Sequence, residues 1–137
     1  MDETGSTQPK DKLVVVIDDD GSLRDLIEML VKAEGFQCQT AGDGELGIKL
    51  IQDKLPDLVL LDLMLPKYGG FEILRALQGG ETARVPIVIV TGRYSDRTTV
   101  DMIKQESNVV DFMEKPINTK AFGLTLHKIM KTAPVAK

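Results

Sequence analysis

The chain has 137 residues, 42% hydrophobic and 28% charged, so it is sized for one domain with its own core and is neither disordered nor fibrous in composition. One cysteine, Cys38, and one histidine, His127, exclude an internal disulfide framework and a zinc-type ligand cluster, which fits an intracellular compartment. The formal net charge of -4 at pH 7 gives no overall attraction to nucleic acid or to an anionic membrane, so any phosphate chemistry has to be organised locally.

Residues 1–11 are polar, with neither a basic n-region nor an apolar h-region, and are expected to be a flexible segment rather than a signal peptide. No apolar run approaches the roughly 18 to 20 residues that span a bilayer. Leu13 to Ile17 is an apolar run of strand length that ends in Asp18, Asp19, Asp20 and Gly21. Leu23, Leu26, Ile27, Leu30 and Val31 then recur at helical spacing, with Ser22 as the expected N-cap and Gly35 as the stop.

The alternation repeats. A short, polar strand is expected near Phe36 to Thr40 and a helix near Gly44 to Lys54. Asp57 to Leu61 is a buried strand ending at Asp62, followed by turn residues Pro66, Gly69 and Gly70 and a helix over Phe71 to Gln78. Val85 to Val90 forms the fourth strand and stops at Thr91 and Gly92. A more polar helix is expected near Asp96 to Glu106, then a strand at Val109 to Met113. Asn118 caps a last helix through Met130, in which Gly123 costs about 1 kcal/mol relative to alanine.

Five strand-then-helix units with continuous apolar strands imply a parallel sheet covered by helices on both faces. Ligands in such sheets sit beyond the carboxyl ends of the strands, which here carry Asp18 and Asp19, Asp62, Thr91 and Lys115. Carboxylates gathered there repel unless a cation joins them, and oxygen ligands suit Mg²⁺ or a similar hard ion. A lysine and a threonine hydroxyl beside them can hold a phosphoryl group, and an aspartate can accept one covalently.

Four ordered motifs carry a resemblance: VVVIDDD at 14–20, PDLVLLDLMLP at 56–66 followed by Gly70, VPIVIVTG at 85–92, and VVDFMEKP at 109–116. The chain resembles the receiver domains of two-component response regulators, of the chemotaxis-regulator-like kind. The resemblance implies a flavodoxin-like (βα)5 fold, a doubly wound α/β architecture with a five-stranded parallel sheet in the order 2-1-3-4-5. The domain would span residues 12–131, with 132–137 as a tail or linker stub and no room left for an output module.

Carried over residue by residue, the resemblance makes Asp62 the phosphoacceptor. Asp19 ligates Mg²⁺, Asp18 assists through water, and Met64 supplies a backbone carbonyl; Mn²⁺ is a possible substitute. Thr91 bonds a phosphoryl oxygen, Gly92 gives a backbone amide access, and Lys115 pairs with the phosphoryl group ahead of a cis bond to Pro116. Phe112 holds the aromatic switch position with Thr91, without the hydroxyl of a tyrosine. The implied protein is a cytoplasmic signalling domain that catalyses only its own phosphorylation and dephosphorylation. Its expected partners are a sensor histidine kinase or histidine phosphotransfer protein, and downstream a protein effector or a second copy through the face of the fourth helix, fifth strand and fifth helix. Neither nucleic acid nor membrane is expected as a direct partner.

A competing reading takes VVVIDDDGSL as the first motif of a haloacid-dehalogenase-type phosphatase, with Asp18 as nucleophile and Asp20 as acid/base. Thr91 and Lys115 would then serve as the next two motifs. No Asp or Glu follows Glu114, so the last acidic metal-binding motif is missing, and Asp62 has no task. A degenerate receiver that only binds partners is disfavoured because every phosphorylation residue is present. Cys38 and His127 read as structural or surface residues.

Overall fold

Apolar runs that alternate their side chains between two faces need cover on both, and that requirement sets the architecture. The structure, a computed structural model, describes residues 7–63, 65, 70–92, 101, 103, 105–106 and 108–133. Strands β1 (Leu13–Ile17), β2 (Gln37–Ala41), β3 (Leu58–Asp62), β4 (Ile87–Thr91) and β5 (Val109–Glu114) form one parallel sheet in the order β2-β1-β3-β4-β5. This is the expected doubly wound order.

The two faces follow from the two-residue period. Val15, Ile17, Val59, Leu61, Ile87 and Ile89 point to one side, where they meet Ile51 of helix α2 (Gly44–Lys54) and Ile73 and Leu74 of helix α3 (Gly70–Ala76). Val14, Val16, Leu58, Leu60, Val88 and Val90 point to the other, against Ile27 and Val31 of helix α1 (Gly21–Ala33) and Phe122, Leu126 and Met130 of the C-terminal helix (Thr119–Met130). Burying each such side chain contributes about 1.5 to 3 kcal/mol, so the three inner strands fix the sheet. β2 is an edge strand in which Gln37 and Gln39 are exposed, which is why it carries no apolar run.

Most element boundaries fall within a residue or two of the sequence expectations. The fourth strand begins at Ile87 because residues 80–84 form a 3-10 turn that Val85 caps. Asp101 and Ile103 are helical, and most of the helix expected over 96–106 lies outside the described residues. Pro9–Asp11 form a 3-10 turn with Pro9 buried. The N-cap of α1 is Asp20 rather than Ser22: the extended backbone at Asp20 lets its carboxylate accept from the Leu23 amide at 3.2 Å, whereas Ser22 already lies inside the first turn. Leu23 and Leu30 pack on the core as expected, but Leu26 is partly exposed. Among the described residues, no helix is long and apolar enough to cross a membrane.

His127 is structural, and its partner is remote in sequence. The buried ring packs at a tilt against Phe36 with centroids 4.9 Å apart, and its Nε2 lies 2.9 Å from Glu34 Oε1 at the end of α1. A carboxylate only accepts, so Nε2 carries the proton. Nδ1 meets the Thr132 hydroxyl at 2.7 Å. Gly123 makes this possible: a Cβ there would sit 2.5 Å from Glu34 Cδ and 2.9 Å from Oε1.

Candidate functional site: an acidic pocket at the strand ends

The register of the three inner strands sets the site. Ile17 pairs with Leu61, so Asp18 and Asp62 come side by side one residue further on. The Asp18 amide donates to Ala41 O at 3.2 Å, and Asp18 Oδ1 accepts from the Asp20 amide at 2.9 Å, which holds the carboxylate against the end of β1. Asp62 is the last residue of β3 and 5% exposed; Asp18 is 1% exposed, and Asp19 lies at the surface. One carboxylate oxygen from each of Asp18, Asp19 and Asp62 falls within 4.8 Å of the others.

Two unit charges at that separation repel by about 3.5 kcal/mol at an effective dielectric constant near 20. Lys115, one residue past β5, offsets part of this: its Nζ lies 3.2 Å from Asp18 Oδ2 and 3.4 Å from Asp62 Oδ2. Burial alone would lower the lysine pKa, but the Asp62 and Asp18 charges together outweigh it and raise the value above the usual 10.5. Among the described residues in contact there, three carboxylates and one ammonium still leave two negative charges. Asp18 Oδ2 is buried and, among the described residues, has only the Lys115 ammonium beside it. A buried carboxylate oxygen with spare lone pairs, in an all-oxygen donor set short of two positive charges, fits a hard divalent cation.

Thr91 ends β4, 5% exposed, and its carbonyl accepts from the Lys115 amide at 2.7 Å, so the threonine and lysine loops are tied together. Its hydroxyl lies 3.3 Å from Gly92 O. The Lys115–Pro116 bond is cis, as the resemblance implies. Phe112 pairs with Ile89 in the β4–β5 ladder and packs, half-buried, against the α2/α3-side core. The Met64 carbonyl assignment lies outside the described residues.

Two neighbours of the site have tasks that the sequence reading did not assign them: Asp20, considered there as the acid/base of the competing phosphatase motif, and Arg24. Asp20 caps α1 through its carboxylate, which engages the group that a phosphatase would need as acid/base. Arg24 Nη1 donates to the Asp18 carbonyl at 2.8 Å; only the four-residue spacing from Asp20 hinted that it faces the loop.

A doubly wound parallel sheet with an acidic pocket, a lysine and a threonine at its carboxyl edge is the arrangement that the sequence motifs implied. A family model described as the response regulator receiver domain matches residues 14–127, and the chain belongs to that family. The transcriptional regulatory protein AfsQ1 of Streptomyces coelicolor is 31% identical over 118 residues, covering 86% of this chain and 51% of AfsQ1. The DNA-binding response regulator MtrA of Mycobacterium tuberculosis is 37% identical over 108 residues, 78% of this chain and 45% of MtrA. CpxR of Escherichia coli, also a transcriptional regulatory protein, is 33% identical over 118 residues, 86% and 49% respectively. The chain thus spans about half the length of these curated relatives. Among solved structures, the signal receiver domain of a LuxO repressor-like protein from Vibrio parahaemolyticus superposes with a TM-score of 0.77 at 28% identity, covering 88% of this chain and 90% of that one. A receiver domain from Clostridium thermocellum, 20% identical with a TM-score of 0.77 over 88% and 94% of the two chains, shares the fold.

These relatives correct the expected partner set, which left nucleic acid out. A protein named for DNA binding is among them, and the family's regulators include transcriptional ones. The charge argument failed because a net charge of -4 describes these 137 residues alone, whereas the 108 residues matched in the DNA-binding response regulator MtrA are only 45% of that protein.

Proposed function

We propose that this receiver accepts a phosphoryl group on Asp62 from the phosphohistidine of a sensor histidine kinase or histidine phosphotransfer protein, in a Mg²⁺-dependent reaction in the cytoplasm. The observation that carries the reading is the convergence of Asp18, Asp19, Asp62 and Lys115 at one sheet edge. In the transfer, an Asp62 carboxylate oxygen attacks phosphorus in line, the O–P bond forms as the N–P bond breaks, and the donor imidazole leaves with the bond's electron pair. Lys115, already between Asp18 and Asp62, moves its ion pair onto the phosphoryl oxygens, and Thr91 supplies a hydroxyl to one of them. Asp18, Asp19 and Asp62 would hold Mg²⁺, with Met64 as the carbonyl ligand of the family pattern; the ion supplies compensation for the charge gathering on the phosphoryl oxygens. The protein's part is positioning and electrostatics, so the domain acts only on itself.

Residues 12–131 form the receiver unit in this reading, and the phosphoryl state is read out through Thr91 and Phe112. The link between them is the Thr91 carbonyl bonded to the Lys115 amide, beside the β5 strand that carries Phe112. Biasing two packings of that edge is a population shift. The named activities of AfsQ1, MtrA and CpxR support an output on transcription through DNA. Acetyl phosphate with Mg²⁺ tests the chemistry: one hydroxylamine-labile phosphoryl group is expected, absent with EDTA and absent in Asp62→Asn. Undiminished incorporation in Asp62→Asn would reject the assignment.

A further inference from the structure

Arg24 is a basic side chain that the phosphoryl chemistry does not use, yet it lies against the acidic loop. It projects from the first turn of α1, where its amide donates to Asp20 O at 2.9 Å, and its Nη1 donates to the Asp18 carbonyl at 2.8 Å. The guanidinium also lies over the loop after β2. A Cβ on Gly42 would sit 3.1 Å from Nη1, 3.6 Å from Cζ and 3.9 Å from Nη2, closer to Nη1 than side chains ordinarily pack. Gly42 therefore leaves room for the guanidinium, and one planar group bridges the β1–α1 and β2–α2 loops.

The consequence reaches the carboxylates through the backbone. Asp18 carries three constraints: its amide on Ala41 O, its Oδ1 on the Asp20 amide, and its carbonyl on Arg24. The first two fix the start of the loop and the Asp18 side chain. The third fixes the peptide between Asp18 and Asp19, and so the direction in which the exposed Asp19 leaves the strand. We propose that Arg24 is a positioning residue for the metal-binding pair Asp18 and Asp19, seated by Gly42; this rests on the reading that those two residues and Asp62 hold Mg²⁺. Partners of this kind, which orient ligands without touching the ion, typically affect metal affinity by about 10- to 100-fold.

Electrostatics alone makes the opposite forecast, since removing a cation beside an acidic cluster favours binding of another cation. The sign of the effect therefore decides. Mg²⁺ dissociation constants of the full chain are measured by calorimetry, with thermal stability in the absence of Mg²⁺ measured alongside. Arg24→Ala and Arg24→Lys are expected to weaken Mg²⁺ binding by about 10-fold, because lysine keeps the charge but lacks the planar fork. Gly42→Ala, which keeps Arg24 and its charge but intrudes on its seat, is expected to weaken binding in the same direction by a smaller factor. Tighter binding in Arg24→Ala, or unchanged affinity in Arg24→Ala and Gly42→Ala whatever their stability, would overturn the positioning role. A wild-type chain that binds no Mg²⁺ at all would instead reject the underlying site reading. If Arg24→Ala does not fold, Gly42→Ala and Arg24→Lys decide by the same criterion.

Discussion

Replacing Gly123 by alanine should destabilise the protein, although the same change inside most helices does the reverse. Gly123 lies in the C-terminal helix, where alanine is favoured by about 1 kcal/mol on backbone grounds. The new Cβ would fall on the Glu34 carboxylate, 2.5 Å from Cδ. Glu34 is the flexible end of a side chain and can swing away, so the steric cost itself is small. Its departure, however, removes the 2.9 Å bond to the His127 ring, which is 4% exposed and packed against Phe36. A hydrogen bond to a charged group contributes about 1.5 to 3 kcal/mol, and a buried donor left unpaired forfeits it in full. The net effect of Gly123→Ala is thus a loss of about 0.5 to 2 kcal/mol.

With Glu34→Ala in the background, the carboxylate is gone and Gly123→Ala should stabilise by up to about 1 kcal/mol. Urea unfolding of the four proteins of this double-mutant cycle measures the coupling directly. Stabilisation by the same amount in both backgrounds would refute the packing argument.

Other perturbations test other parts of the structure. Lys115→Met removes the cation from Asp18 and Asp62 and should destabilise the metal-free chain by about 1 to 2 kcal/mol, a buried-pair figure reduced because the lysine is partly exposed, with added Mg²⁺ restoring stability. Because the folded lysine pKa is raised, its contribution is complete below the ordinary 10.5 and lost as pH rises through the folded value; unfolding midpoints should fall less steeply in that alkaline window in Lys115→Met than in wild type. Burial pushes the Cys38 thiol from 9.0 up to about 12, helped by the Glu28 charge and opposed by Lys32. Iodoacetamide at mildly alkaline pH should therefore modify the folded chain about 100- to 1000-fold more slowly than the urea-unfolded one; equal rates would contradict that environment. Gly47→Ala would set a Cβ 2.5 Å from Ile17 Cδ1 and 2.9 Å from Cγ1, and should cost about 1 to 3 kcal/mol by thermal unfolding, with Ile17→Val recovering part of it.

What could be read from the sequence follows burial. β1, β3 and β4 are covered on both faces and appear as unbroken apolar runs, so their existence and their polar ends were legible. Since parallel strands end on the same edge, Asp18, Asp62, Thr91 and Lys115 could be placed together before any distance was known. The edge strand β2 gave a weak signal because alternate residues face water, and its start was one residue off. The α1 cap was misplaced by two residues because Asp20 and Ser22 are both residue types that cap helices, and only the extended backbone at Asp20 decides between them. Glu34 and His127 are 93 residues apart, and Gly123 looked only like a weakness in its helix; the reason for it exists only in three dimensions. Likewise, Arg24 acts on a carbonyl, a group that every residue possesses and that no sequence pattern marks.

The central claim is that Asp62 receives the phosphoryl group, and finding which residue carries it is the most direct test. The chain phosphorylated by acetyl phosphate or by a histidine kinase is reduced with borohydride, which converts the acyl phosphate to homoserine, then digested and sequenced by mass spectrometry. The account predicts homoserine at position 62 and at no other aspartate. Homoserine at position 18 instead would contradict it and favour the phosphatase-like chemistry.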